Sequence, residues 1–180
     1  MPRPTVEGSV SPCGPCRYSF RHREGLMVEE SLVDLSLIAA GELDGEWLLR
    51  DHRGPVEATA ENVEAARIFA LDRWRERAEE NGLPVPADLS GACKFCALFA
   101  KSLFGGSIDG HYDHIFNRIG GEVLDLSAAS ADVAGLRDPY RSDPELLASE
   151  DLHYSLETCV PRVLRWVAAF QRPASPGPRP

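Results

Sequence analysis

Cys93, His114 and Asp125 are of the three types that together can activate a thiol. A cysteine attacks a carbonyl as thiolate, and near neutral pH it needs a base or a helix N-terminus to reach that form. Ser90 precedes an apolar run from Ala92 to Phe104 and reads as its N-cap, which puts Cys93 at the third helical position. The first-turn amides and the positive end of the dipole would favour a thiolate there and stabilise an oxyanion. Tyr112 to Ile119 and Glu122 to Ser127 read as strands, and Gly120-Gly121 between them is a two-residue hairpin signal. With that turn Ile119 faces Glu122, Phe116 faces Asp125, and His114 faces Ser127. His114 and Asp125 become diagonal neighbours on one face. A carboxylate so placed accepts the imidazole N–H and leaves the second nitrogen for the thiol. A three-residue loop would reverse this parity. Cys93 is thus the candidate nucleophile, His114 the base and Asp125 the group that orients the base. Each residue alone has a plainer explanation, as core thiol or surface polar group; their order along the chain is what favours chemistry.

Two rival readings use the same residue types. Cys93-x2-Cys96 is followed after 14 residues by His111-x2-His114, close to a zinc-finger spacing. Against it, the segment from Lys94 to Phe104 reads as one apolar helix, whereas a finger needs a knuckle at its cysteines. Cys96 falls in line with Phe99 and Leu103, as a buried thiol would. Cys13-Gly-Pro-Cys16 copies a redox tetrapeptide, but Pro12 precedes it and no apolar strand does. His111 alternates away from His114 and is set aside as a substrate contact or supporting group. Cys159, just before Pro161, reads as structural.

The elements that must position these groups follow from periodicity. Residues 1–26 read as a flexible tail, 27–170 as one α+β domain, and 171–180 (QRPASPGPRP) as a second tail. Val28 to Ile38 has the pattern of a short helix, and Glu46 to Arg50 is ambiguous. Asn62 to Glu80 is an amphipathic helix closed by Asn81-Gly82. LPVPADL is a linker. A short helix is expected near Pro144 to Ser149, then a final helix or strand ending in RVLRWVAAF. Phe69, Trp74 and Trp166 are expected in the core.

Composition limits the partners. Hydrophobic residues make up 43% of the 180, enough to build a core without staples. The formal net charge of −9 argues against broad nucleic-acid binding, which needs a basic face. No stretch is long and apolar enough to span a membrane. The N-terminus lacks the pattern of a signal peptide, so a cytoplasmic location is expected. Five cysteines in a reducing compartment would be thiols rather than disulfides.

The run GACKFCALFAKSLFGGSI resembles the Gly-x-Cys-x3-Ala-Leu-x5-Phe-Gly-Gly-x-Ile pattern of the bacterial YunG-like proteins. HIFNRIGGEVLDLS resembles that family's His-x-Phe/Tyr-Asn-Arg-Ile-x-Gly-x3-Asp pattern. The resemblance covers residues 90 to 130 and continues weakly to RVLRW. More broadly, the order of residues is similar to the papain-like and transglutaminase-like thiol enzymes, including the leader peptidases of lasso-peptide pathways. The resemblance implies a papain-like or transglutaminase-like core, with the cysteine helix packed on a small antiparallel sheet. It carries over Cys93, His114, Asn117 and Asp125, and it implies a hydrolase or acyltransferase acting on an amide or ester of a peptide or protein, with no cofactor. Relatives often have Gln just before the cysteine, where this chain has Ala92. The oxyanion hole would then use the Cys93 amide and a second donor. Asn117 is a candidate only if the hairpin parity differs from the pairing above. A catalytically inactive relative kept for binding is the alternative outcome.

Overall fold

The computed structural model describes residues 46–171 of the chain. The expected helix at Val28 to Ile38, the N-terminal tail, the Cys13–Cys16 pair and the C-terminal tail beyond residue 171 lie outside the described residues.

Seven helices and three strands follow in order among the described residues. They are α1 (Glu46–Leu49), α2 (Ala60–Glu80), α3 (Cys93–Phe104), β1 (Ser107–His111), β2 (His114–Ile119), β3 (Glu122–Leu124), α4 (Ala131–Ala134), α5 (Pro144–Leu147), α6 (Glu150–Glu157) and α7 (Val160–Phe170). The fold is mixed α and β, with one antiparallel sheet in the order β1-β2-β3.

The sequence pattern places most of these elements, with shifted ends. The second helix starts at Ala60 rather than Asn62, because the Thr59 hydroxyl caps it by accepting from the Asn62 amide at 3.2 Å. Thr59→Ala is expected to cost about 1 kcal/mol. Thermal denaturation should then show a fall of roughly 3–5 °C; an unchanged midpoint would remove the cap from this account.

The third helix starts at Cys93, so Cys93 is its first residue, not its third. Ala92 stands at the cap position and Ser90 does not cap the helix. The Ser90 amide is held by Asp88, at 2.9 Å, and its hydroxyl accepts from the Asp132 amide at 3.4 Å, so its groups serve the loop facing α4. The strand expected from Tyr112 begins at His114. Tyr112 and Asp113 instead form a turn, and a strand not foreseen, β1, lies on its other side. The last expected element is the helix α7, and the Ser149 hydroxyl caps a further helix, α6.

Helix α3 is the centre of the molecule. Every residue from Cys93 to Phe104 except Lys94 is buried, including Cys96. Phe95 and Phe99 pack against Trp166 of α7, and Phe99 stacks on Phe69 of α2. On the sheet side, Ile108 and Ile115 are fully buried in the same core, with Ile119 and Leu124 at its margin.

The turn from α3 into β1 is made by two glycines. Gly105 and Gly106 have φ of 82° and 77°, which only glycine adopts without strain. A side chain on either would overlap the backbone of His52 or Arg118. This tight link sends β1 back along α3. Twelve helical residues cover about 18 Å and five strand residues about 16 Å. The far end of β1 therefore returns to the level of Cys93.

Candidate functional site

The sheet register decides which side chains meet. Ile119 pairs with Glu122, so the Gly120-Gly121 turn has two residues, as its composition indicates. The pairing then continues through Asn117 and Leu124. Position 125 follows opposite Phe116, on the same face as His114.

His114 and Asp125 are joined there. His114 Nε2 lies 2.9 Å from Asp125 Oδ2, with side-chain exposures of 1% and 3%. An ionised carboxylate only accepts, so Nε2 carries the proton and Nδ1 is the basic nitrogen. The other carboxylate oxygen, Oδ1, accepts from the Ser127 amide at 2.8 Å and the Ser127 hydroxyl at 2.7 Å. Tyr140 donates more weakly to Oδ2, at 3.4 Å. Burial, and then the Asp125 charge, hold the Tyr140 phenol above its ordinary pKa, so it stays a donor near neutral pH. Phe116 and Tyr140 complete the ring packing around His114.

Ser127 and Tyr140 were not foreseen. Asp-x-Ser is the spacing at which a carboxylate caps the backbone two residues on, and that signal is visible in the sequence. Nothing in the sequence marks Tyr140.

The sheet has two distinct faces. Ile108 and Ile115 look toward α3, while His114, Phe116 and Tyr140 group on the opposite face. Arg118 extends that second face. Its Nε meets Asp109 at 2.5 Å, and its guanidinium also reaches the Tyr140 carbonyl. Burial alone would raise the Asp109 carboxyl. Hydrogen bonds from Ser142, Arg118 and the Gly110 amide outweigh it and hold the group below the ordinary carboxylate range.

Cys93 is buried at the start of α3 and lines a cavity of about 330 Å³. The far wall is the β1–β2 turn with His111, Tyr112 and Asp113; Ile115, Asp132 and α6 close the rest. Neither His114 nor Asp125 lines this cavity, and Asp125 and Tyr140 border a separate open cleft with Val63. The structure thus joins His114 to Asp125. It places Cys93 in a cavity that His111 also lines, at the end of the hairpin that carries His114.

His111 corrects its sequence reading. It lies on β1, not on the strand of His114, and pairs directly across from His114. Directly paired residues share a face, so the two do not alternate away from each other. Asn117 is buried beside the core stripe, on the face opposite His114. The two-residue turn is the parity that excluded it as an oxyanion donor. Ala92 is fully buried and offers no side-chain donor.

Among the described residues, no three His, Cys, Asp or Glu side chains are grouped to hold a metal. Cys93, Cys96, His111 and His114 do not assemble the zinc site that their spacing allows. Cys96 sits in the core one helical turn from Cys93, and His114 is engaged by Asp125. Cys159 is buried with its Sγ 3.5 Å from the Ser155 carbonyl. No helix among the described residues is long and apolar enough to cross a membrane. Comparison of the chain with family models, curated proteins and solved structures gives no match.

Proposed function

We propose that this chain is a thiol hydrolase or acyltransferase of the papain-like or transglutaminase-like kind, related to the YunG-like proteins, acting on an amide or ester carbonyl of a peptide or protein. The observation that carries the reading is the buried His114–Asp125 pair at 2.9 Å, with Asp125 fixed by two bonds from Ser127. A surface histidine would have no use for a dry, anchored carboxylate. A general base needs one, to hold its tautomer and to stabilise the imidazolium that forms.

Cys93 is the nucleophile. It opens a 12-residue helix, where the dipole favours a thiolate, and it faces a cavity. His114 takes the thiol proton on Nδ1 and returns it to the leaving group. His114 and Cys93 lie on different sides of the β1–β2 hairpin and share no cavity here, so the reaction requires the hairpin end to rearrange in the substrate complex and bring Nδ1 to Sγ. It needs no cofactor.

Pulse alkylation with iodoacetamide at pH 7, read by peptide mapping, tests the assignment. Trypsin separates Cys93, in the peptide ending at Lys94, from Cys96 in the next. Cys93 is expected to react at least about tenfold faster than Cys96 or Cys159, as a thiol of lowered pKa does. His114→Ala should remove that advantage. Equal labelling of the three thiols in the native chain would refute the proposal.

A further inference from the structure

Two thiols stand three residues apart at the start of α3, and their surroundings differ. Cys93 is the first helical residue, 7% exposed, and lines the cavity of about 330 Å³. Cys96 lies one turn further on, 1% exposed, inside the core. Acyl transfer at Cys93 gives Cys96 no part. A Cys-x-x-Cys pair that opens a helix, with one thiol open to a cavity and the other screened, suits a different reaction. The first sulfur is oxidised and the second displaces what it gained.

Helix geometry brings the two within reach. The rise and pitch of an α-helix put Cα atoms at i and i+3 about 5 Å apart, inside the roughly 4.4–6.8 Å that a disulfide spans. Their Cβ atoms, about 5–6 Å apart on a regular helix, must close by roughly 1–2 Å. Cys93 can supply that movement, because the helix continues from it on one side only. The charges on the cavity wall select the oxidant. Asp113, Asp132 and Asp151 outnumber Lys94, whose ammonium donates to Ser155 Oγ at 2.5 Å. Three carboxylates to one ammonium oppose the entry of an anionic thiol such as glutathione. A small neutral hydroperoxide meets no such barrier.

We infer that Cys96 is the resolving thiol for Cys93, and that the pair forms a reversible disulfide that switches the nucleophile off under a hydroperoxide. The inference rests on the thiol reading above and adds the regulation of that site. The Cys93 thiolate attacks one peroxide oxygen and the O–O bond breaks. The sulfur becomes a sulfenic acid, and the departing oxygen leaves as hydroxide and takes a proton from water. The Cys96 sulfur then attacks the Cys93 sulfur and releases its proton. The S–O bond breaks, and the hydroxide leaves with that proton as water. The two sulfurs have lost two electrons, and one hydroperoxide has been reduced. A dithiol restores both thiols by exchange. Without Cys96 the sulfenic acid would stay open to further, irreversible oxidation.

Peptide mapping of the full chain after brief treatment with hydrogen peroxide tests this. Trypsin cuts at Lys94, between the two cysteines, so their disulfide joins the peptide ending at Lys94 to the one running from Phe95 to Lys101. That linked pair is expected without reductant. Alkylation of Cys93 by iodoacetamide should fall at least about tenfold and return with dithiothreitol. Cys96→Ala should alkylate at Cys93 like native before peroxide. Afterwards its Cys93 should be trapped by dimedone as sulfenic acid, and excess peroxide should carry it to a sulfinic acid that dithiothreitol does not reverse. Cys96→Val fills more of the space and carries the test if the alanine variant does not fold. A Cys93 linked to Cys159, Cys13 or Cys16, or to a second chain, overturns the inference. So does a native Cys93 that peroxide leaves untouched, or one that reaches sulfinic acid as fast as in the variant. In each of these cases a Cys93 that still outpaces Cys96 and Cys159 toward iodoacetamide leaves the thiol reading standing. Equal labelling of the three in the reduced native chain removes that reading, and this inference with it.

Discussion

Asp125→Asn is expected to lower acyl turnover at Cys93 by about 10⁴-fold while leaving the fold intact. The size of the effect follows from the direction of two hydrogen bonds. Ser127 gives both its amide and its hydroxyl to Asp125 Oδ1. In the asparagine variant the side-chain oxygen keeps those two donors, so the amide nitrogen must take the other position, against His114 Nε2. An NH2 group there donates, and His114 must accept at Nε2. The ring proton then moves to Nδ1, the nitrogen that should receive the thiol proton. The base is in place but in the wrong tautomer. Far-UV circular dichroism should match native, because the shape and the three shorter hydrogen bonds are conserved; only the long Tyr140 contact, at 3.4 Å, loses its acceptor. The burst of p-nitrophenolate released from p-nitrophenyl acetate measures the loss. Turnover within tenfold of native would mean that His114 is not the base, whatever its contact with Asp125.

The dyad was legible in the sequence because a Gly-Gly pair marks a two-residue turn, whose positive φ angles glycine adopts without strain. Gly120-Gly121 sets a two-residue loop, the loop sets parity, and parity puts His114 and Asp125 on one face. No tertiary knowledge enters that chain of inference. The strand β1 escaped it for the opposite reason. Ser-Ile-Asp-Gly-His has one β-branched residue, and its Asp and Gly look like a turn. It is a strand because Arg118 meets Asp109 and the Gly105-Gly106 link leads straight back along α3. Both are long-range facts. Missing β1 misplaced His111, which changed from an offset neighbour of His114 to its directly paired partner. The start of α3 was misjudged by two residues for a similar reason, since Ser90 is an excellent cap in isolation. Asp88 and Asp132 recruit it for the loop instead. The shift makes Cys93 the first residue of α3, where the dipole acts most strongly.

The second large effect belongs to a residue far from the thiol. Lys101 is fully buried near the C-terminal end of α3. Its ammonium donates to the Arg50 carbonyl at 2.7 Å and the Gly106 carbonyl at 2.8 Å, contacts His52 Nδ1 at 3.2 Å, and lies 4.6 Å from the centre of the Trp47 ring. The helix dipole favours a cation at this end. One side chain thus ties the segment after α1 to the glycine link that launches β1. Replacing a buried ion pair with apolar groups is often neutral, because both charges leave together. Here two of the partners are backbone carbonyls, which no side-chain substitution removes. Lys101→Met fills the space and donates nothing, so it strands those acceptors at about 1–3 kcal/mol each. Lys101→Ala adds a cavity and is expected to cost about 4 kcal/mol or more. Thermal denaturation should place the variants in the order native, Met, Ala, with the last roughly 10–15 °C below native. Well below its own midpoint, each variant should still alkylate Cys93 at the native rate, because Lys101 supports the scaffold and not the thiol. A methionine variant as stable as the native chain would show that the hydrogen bonds contribute nothing beyond the volume they fill. A slow Cys93 in a folded variant would show instead that the glycine link transmits position to the cavity wall, through β1 to His111.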